Sequence, residues 1–205
     1  MPRHAFRYSR EFLQELRSEI SSAFLGVEPH RFGQESQYTS AILGRLHGIE
    51  VISWYGEYAR IEGTDIDDRG RGSAEHRYGA DFVITATVGD STKKVRKAIL
   101  VQVKNQPIDT LSASSASDLK EQITRMKAVV SSPKVAGIRR DEESAMLEMS
   151  SGNKVLSDME YSKSDFPEYF NQRVITTLDG TTDETIIEAL QDSHLKKLDV
   201  LVKRG

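Results

Sequence analysis

Apolar residues recur along this chain at two different periods, and the switch between them outlines the fold. From Arg10 to Phe24, Leu13, Leu16, Ile20 and Phe24 fall on one stripe of a helix, with Ser9 placed to cap its start and Gly26 beyond its end. A connector holding Pro29 and Gly33 leads to a second helix, predicted from Glu35 to His47, in which Tyr38, Ile42 and Leu46 share a face ahead of Gly48. The period then drops to two. Val51-Ile52-Ser53-Trp54-Tyr55 has the β-branched and aromatic content of a strand, and the polar, glycine-rich stretch from Glu62 to Tyr78 reads as a long surface loop. Next, Phe82, Ile84, Ala86 and Val88 alternate with Asp81, Val83, Thr85 and Thr87; Gly89-Asp90-Ser91-Thr92 supplies a turn; and Lys97 to Lys104 returns as the partner of a hairpin. After the serine-rich stretch Ser112 to Ser117, a helix is predicted from Asp118 to Val130, with Asp118 and Glu121 at capping-box spacing and Leu119, Ile123 and Met126 on its apolar side. Strands at Ala145 to Met149, Arg173 to Thr177 and Leu198 to Val202 and a helix from Asp183 to Asp192 complete an α/β pattern.

Composition narrows this picture. The chain has 205 residues, 38% hydrophobic and 29% charged, enough for one sizeable core and too few for two full domains. We read 1–205 as one domain, with 1–33 a helical decoration, 34–150 the core and 151–205 an αβ extension. The absence of cysteine excludes a disulfide framework, a thiolate metal site and a cysteine nucleophile, and suits a reducing compartment. No run approaches the roughly eighteen apolar residues of a membrane span, and Met1 to Arg10 lacks the apolar stretch of a signal peptide, so a cytoplasmic protein without a membrane partner is expected. The formal net charge of -3 is unusual for a polyanion binder. Acidic metal ligands, neutralised by the ion they hold, would account for part of it.

The chemistry concentrates on the hairpin. Gly79-Ala80-Asp81 opens its first strand and Gln102-Val103-Lys104 closes its second. Side chains on a strand repeat every second position, so Gln102 and Lys104 point to one face. An acid on one strand, followed on the next by an acid or amide, one residue and a lysine, is a recurrent arrangement in metal-dependent phosphodiesterases. Phosphodiester cleavage needs an oxygen-ligated divalent ion, a water made nucleophilic near neutral pH and an in-line approach. Asp81 is the candidate central ligand, Gln102 can offer a neutral carbonyl oxygen and Val103 its backbone carbonyl. Lys104 is a compact cation suited to orienting water or steadying charge on the phosphate. Each has a bland rival, since an Asp after Gly-Ala also serves turns and strands often end in polar residues.

These residues resemble the signature of the PD-(D/E)XK nuclease superfamily, whose restriction-endonuclease-like core has the order αβββαβ, a central mixed sheet flanked by helices and a D…(D/E/Q)xK motif on its second and third strands. The likeness covers about the middle half of the chain. With Asp81, Gln102 and Lys104 in the motif positions, it is most similar to Mrr-type restriction enzymes and the double-stranded DNA endonuclease domains of antiphage effectors. The resemblance adds a glutamate on the first core helix, matched by Glu35, and a glutamine on the helix after the lysine strand, matched by Gln122. Gln102 departs from the commonest pattern, where an acid stands. The implied activity is a Mg2+- or Mn2+-dependent DNA endonuclease in bacterial defence or restriction. The implied partners are double-stranded DNA, a second copy of the chain in a homodimer or larger assembly, and a separate sensor or regulatory subunit.

Other motifs exclude other functions. Asp65, Asp67 and Asp68 invite a calcium loop, but an EF-hand needs a ligand at its fifth position and a glutamate at its twelfth, where Arg69 and His76 stand. The five histidines show no metal-binding spacing, and there is no phosphate-binding G-x-x-x-x-G-K-[ST] loop. Arg69, Arg71, Arg77, Lys93 and Lys94, with Arg139 and Arg140, are candidate contacts to a nucleic-acid backbone. The alternatives are a catalytically weak relative that binds nucleic acid or a partner, and a structural or regulatory assembly subunit whose polar strand ends are merely solvated.

Overall fold

The computed structural model describes residue 6, residues 8–25, 27, 35–65, 73–140, 145–158 and 163–205. Among them, one mixed eight-stranded sheet runs in the order β1-β2-β8-β3-β4-β5-β6-β7. In chain order the elements are α1 (Arg10–Leu25), α2 (Glu35–Leu46), β1 (Ile49–Ile52), β2 (Glu57–Thr64), α3 (Ala74–Tyr78), β3 (Phe82–Gly89), β4 (Lys94–Lys104) and α4 (Ala113–Lys127). These are followed by β5 (Lys134–Arg140), β6 (Ala145–Ser151), α5 (Gly152–Leu156), β7 (Ser164–Asp165), α6 (Phe166–Tyr169), α7 (Glu184–Gln191) and β8 (Lys196–Arg204). The expected α/β class, a central mixed sheet flanked by helices, is observed. No helix among the described residues is long and apolar enough to cross a membrane.

Alternation along the strands assigns each side chain to one of two cores. In β4, Ile99, Val101 and Val103 join the cluster beneath α1, α2 and α6, whereas Ala98 and Leu100 join the cluster beneath α4 and α7. Gln102 and Lys104 continue the second row. The C-terminal strand β8 lies in the middle of the sheet, parallel to β3 and antiparallel to β2. Its Leu198, Val200 and Val202 are buried in the first core. Ser9 caps α1 through a 3.3 Å bond from the Phe12 N–H, and its hydroxyl donates to the buried Glu57 carboxylate at 2.5 Å, tying the helix to β2.

Several elements differ from the expected ones. The strand expected at Val51 to Tyr55 ends at Ile52, because Ser53 to Gly56 form the turn into β2 and Gly56 has φ 76°. The loop expected from Glu62 to Tyr78 contains the end of β2 and the helix α3; residues 66–72 lie outside the described residues. Helix α4 starts at Ala113, not Asp118: Ser112 accepts a bond from the Ser115 N–H, so the serines are its cap and first turn, and Asp118 and Glu121 lie inside it. Strand β5 is not among the expected strands, since Gly137 interrupts a short apolar run. A side chain there would meet Gln106, Pro107 and Ile108, each at 2.9 Å.

The strand expected at Arg173 to Thr177 is instead a π-helical turn, Phe170–Ile175, continuing α6. Asp165 caps α6 through the Glu168 N–H, and burying Phe166, Phe170 and Val174 on the first core outweighs the β-branched content of the segment. Thr177 has φ 57°, a rare conformation for a β-branched residue. The turn delivers Arg173 and Asp179 to the start of β5. There the Lys134 ammonium and the Asp179 carboxylate pair at 2.9 Å, 6% and 5% exposed, and Arg173 meets Asp179 with two nitrogens at 2.9 and 3.2 Å.

Burial raises the Asp179 pKa, but hydrogen bonds from Arg173 and Lys134 outweigh it and hold the carboxyl below its ordinary value. A group whose folded-state pKa is below its unfolded value, about 3.9, contributes its full stability above that value and loses it as pH falls through the folded one. Asp179→Asn should therefore destabilise the protein by about 3–5 kcal/mol at pH 7, because it leaves Lys134 buried beside a neutral group. Urea unfolding at stepped pH should also show a shallower loss of stability between pH 5 and 3 than in the unsubstituted protein.

Candidate active site

The site is built where α3 turns into β3. Ser73 caps α3 through the His76 N–H, and Gly79, at φ 70°, ends it by donating to the Glu75 carbonyl at 2.9 Å. Gly79 is required twice over. Its φ favours glycine, and a Cβ there would lie 2.4 Å from the Gln122 carbonyl oxygen of α4. The reversal buries Ala80 and places Asp81 just ahead of β3, with its N–H donating to Val101 O at 2.9 Å.

From there the Asp81 carboxylate reaches across to the end of β4. Oδ2 accepts from the Val103 backbone N–H at 2.6 Å and from Gln102 Nε2 at 2.7 Å. Gln102 Nε2 also donates to Val103 O at 3.0 Å. With two acceptors before it, the amide must present nitrogen, not carbonyl, to Asp81. Gln102 is 2% exposed and Lys104 8%. Asp81, Gln102, Val103 and Lys104 thus come together at one end of the β3–β4 hairpin.

Gln122 lies in the α4 turn that abuts Gly79, and its side-chain Oε1 is a buried acceptor with no hydrogen-bond partner. Such atoms mark water, ion or ligand positions. Glu35 begins α2, and its side chain lies outside the described residues. Helix α2 packs on the opposite face of the sheet from Gln102, its Tyr38, Ile42 and Leu46 buried in the first core. Burial pushes the Tyr38 phenol up in pKa and Arg140, at the end of β5, pulls it down. Arg140 in turn donates to the carbonyl and side-chain oxygens of Asn105, the residue after Lys104.

The candidate backbone contacts divide. Arg77 is exposed on α3, close to the site, with its guanidinium 5.3 Å from the Tyr78 ring. Lys93 and Lys94 sit at the far end of the hairpin, separated from Asp81 by the eight residues of β3, about 26 Å at ~3.3 Å per residue. The structure does not bring them to the site. Arg69 and Arg71 lie outside the described residues. Arg139 pairs with Glu148 at 2.8 Å. Two residues near Asp81 carried no sequence signal: buried Lys196, opposite Phe82 on β8, and Glu75 on α3, paired at 2.8 Å.

No protein-family model, curated protein or solved structure matches the chain. What the site can hold therefore rests on its donors. Among the described residues no three histidine or acidic side chains cluster as metal ligands. The acceptors grouped here, the Asp81 carboxylate, Gln102 Oε1 and the Val103 carbonyl, are all oxygens. That set suits magnesium or manganese, and magnesium needs only one or two protein carboxylates because it keeps much of its water.

Gln102→Glu should replace the 2.7 Å donor to Asp81 with a like charge. In chelator the variant should lose roughly 1–3 kcal/mol of stability, and millimolar Mg2+ or Mn2+ should restore it by binding the folded state. Urea unfolding with and without metal reads both effects.

Proposed function

We propose that the protein is a divalent-metal-dependent DNA endonuclease built on a restriction-endonuclease-like core. The observation that carries this reading is the Asp81 carboxylate bonded at 2.6 and 2.7 Å to the Gln102-Val103 end of β4, beside the nearly buried Lys104. The element order supports it: α2, the β1–β2 pair, the β3–β4 hairpin, α4, and then β5 parallel to β4. Two features depart from the αβββαβ pattern. The strand after α4 is β5 rather than the strand expected at Ala145 to Met149, and β8 separates β2 from β3.

In this reading Asp81 is the central ligand of Mg2+ or Mn2+, with the Val103 carbonyl, Gln102 Oε1 and Glu35 in support. A bound ion supplies charge neutralisation for the scissile phosphate and an acidified water. Lys104 holds charge on the phosphate or orients the attacking water, and Gln122 fixes a water or phosphate oxygen. Gln102 must turn its amide over to offer the carbonyl. Arg77 and Arg140 flank the approach to the strand ends and bind the backbone of double-stranded DNA. Cutting both strands calls for a homodimer or larger assembly, the compartment is the cytoplasm, and control by a separate sensor subunit suits a defence or restriction role. A second reading, a relative of the same fold that binds without cutting, is favoured by the amide nitrogen turned to Asp81 and the single described carboxylate.

Supercoiled plasmid, linear duplex and single-stranded RNA, incubated with Mg2+, Mn2+ or chelator, test the proposal. The expected result is chelator-sensitive DNA cleavage, reduced about a hundred- to ten-thousand-fold by Lys104→Ala and by Asp81→Asn. Retention of DNA by a folded protein that cuts under no metal would assign the binding reading instead.

A further inference from the structure

A second place in the molecule has the features of a site, and it is independent of the nuclease reading. At the start of β5, where Lys134 pairs with Val101, lies a cavity of about 520 Å³, walled by β5, β6, α5 and the π-helical turn. Its described charged lining residues are Lys134, Lys154, Lys163 and Arg173 against Glu168 and Asp179, an excess of positive charge in a chain whose net charge is -3. Three further observations converge on it. The wall is formed by a π-helical turn, a rare element often found at functional sites, and Thr177 at φ 57° closes the segment. Tyr169 is 4% exposed, and its hydroxyl stands beside the Asp179 carboxylate in the cavity wall. Lys154 is exposed and makes no ion pair with a described residue.

We infer that this cavity binds a small molecule bearing a phosphate group. Asp179 neutralises Lys134 and takes Nε and Nη2 of Arg173, leaving Nη1 of a side chain that is 46% exposed for a ligand. Lys163 is held at the rim by Asp109 at 2.8 Å and Glu148 at 3.8 Å, while Lys154 is uncommitted. A phosphate monoester, at roughly -1.5 to -2 near neutral pH, matches the surplus charge better than a single carboxylate. The serine hydroxyls of Ser132, Ser151 and Ser164 add donors that phosphate oxygens accept. At ~30 Å³ per water the volume corresponds to roughly seventeen waters, far more than one phosphate group fills, which calls for an ester of nucleotide size.

Calorimetric titration in chelator, which removes metal bridging at the candidate active site, tests this with inorganic pyrophosphate, adenosine monophosphate and adenosine. Pyrophosphate and the monophosphate should bind one to one and adenosine should not. Lys154→Glu should weaken both by at least about tenfold through like-charge repulsion, without altering the unfolding transition. Lys104→Ala should leave the affinities unchanged. Absence of binding by the folded protein at millimolar probe, equal binding of adenosine, or undiminished binding to Lys154→Glu would each overturn the assignment. So would binding of duplex DNA, lost in Lys154→Glu, without binding of pyrophosphate, which would make the cavity a polyanion surface.

Discussion

The alternation of β4 is the constraint on which the rest of the structure depends. Ile99, Val101 and Val103 are committed to one core and Ala98 and Leu100 to the other, and β4 is hydrogen-bonded along its length to β3 and at its end to β5. A slip of one residue would send Val103 to the polar row and bury Lys104 in the apolar one. Register and chemistry are thus the same property. Keeping the apolar triplet inside forces Gln102 and Lys104 onto the row that Asp81 reaches from the opposite strand.

That arrangement makes one carboxylate both a structural and a chemical group. By accepting the Val103 N–H beyond the last paired residues, Asp81 closes the open end of the hairpin. Bonds to a charged acceptor are worth roughly 1.5–3 kcal/mol each, so its two are a substantial local contribution. The amide of Gln102 serves Asp81 as a neutral partner where a second carboxylate would repel it. The same neutrality lowers the charge available to hold a cation, so stability of the empty hairpin and affinity for an ion pull in opposite directions at this position.

The start of β5 answers a different problem. Burying Lys134 requires a counter-charge, and Asp179 reaches it only because the chain leaves the π-helical turn through a left-handed Thr177. Buried ion pairs add little net stability over apolar packing of the same volume. Here the pair, Arg173 and the strained segment that supplies them surround a cavity rather than filling a core, which is why they read as a site.

Local signals made part of this protein legible. The period-two hairpin, the amphipathic helices α1, α2 and α7, and the Asp81 and Gln102-Val103-Lys104 positions follow from residue spacing, because alternation and helix stripes are properties of neighbouring residues. Long-range contacts decided the remainder. Strand β5 exists because β4 and β6 flank a short run that Gly137 interrupts, and residues 170–175 became helical because Phe170, Val174 and Ile175 found a core despite strand-like composition. Tertiary structure alone placed β8 between β2 and β3, joined Lys134 to Asp179, and turned the Gln102 amide nitrogen toward Asp81. The sequence by itself determined which residues share a strand face; which partners meet across the fold was decided by burial and hydrogen bonding between distant segments, quantities that no local window contains.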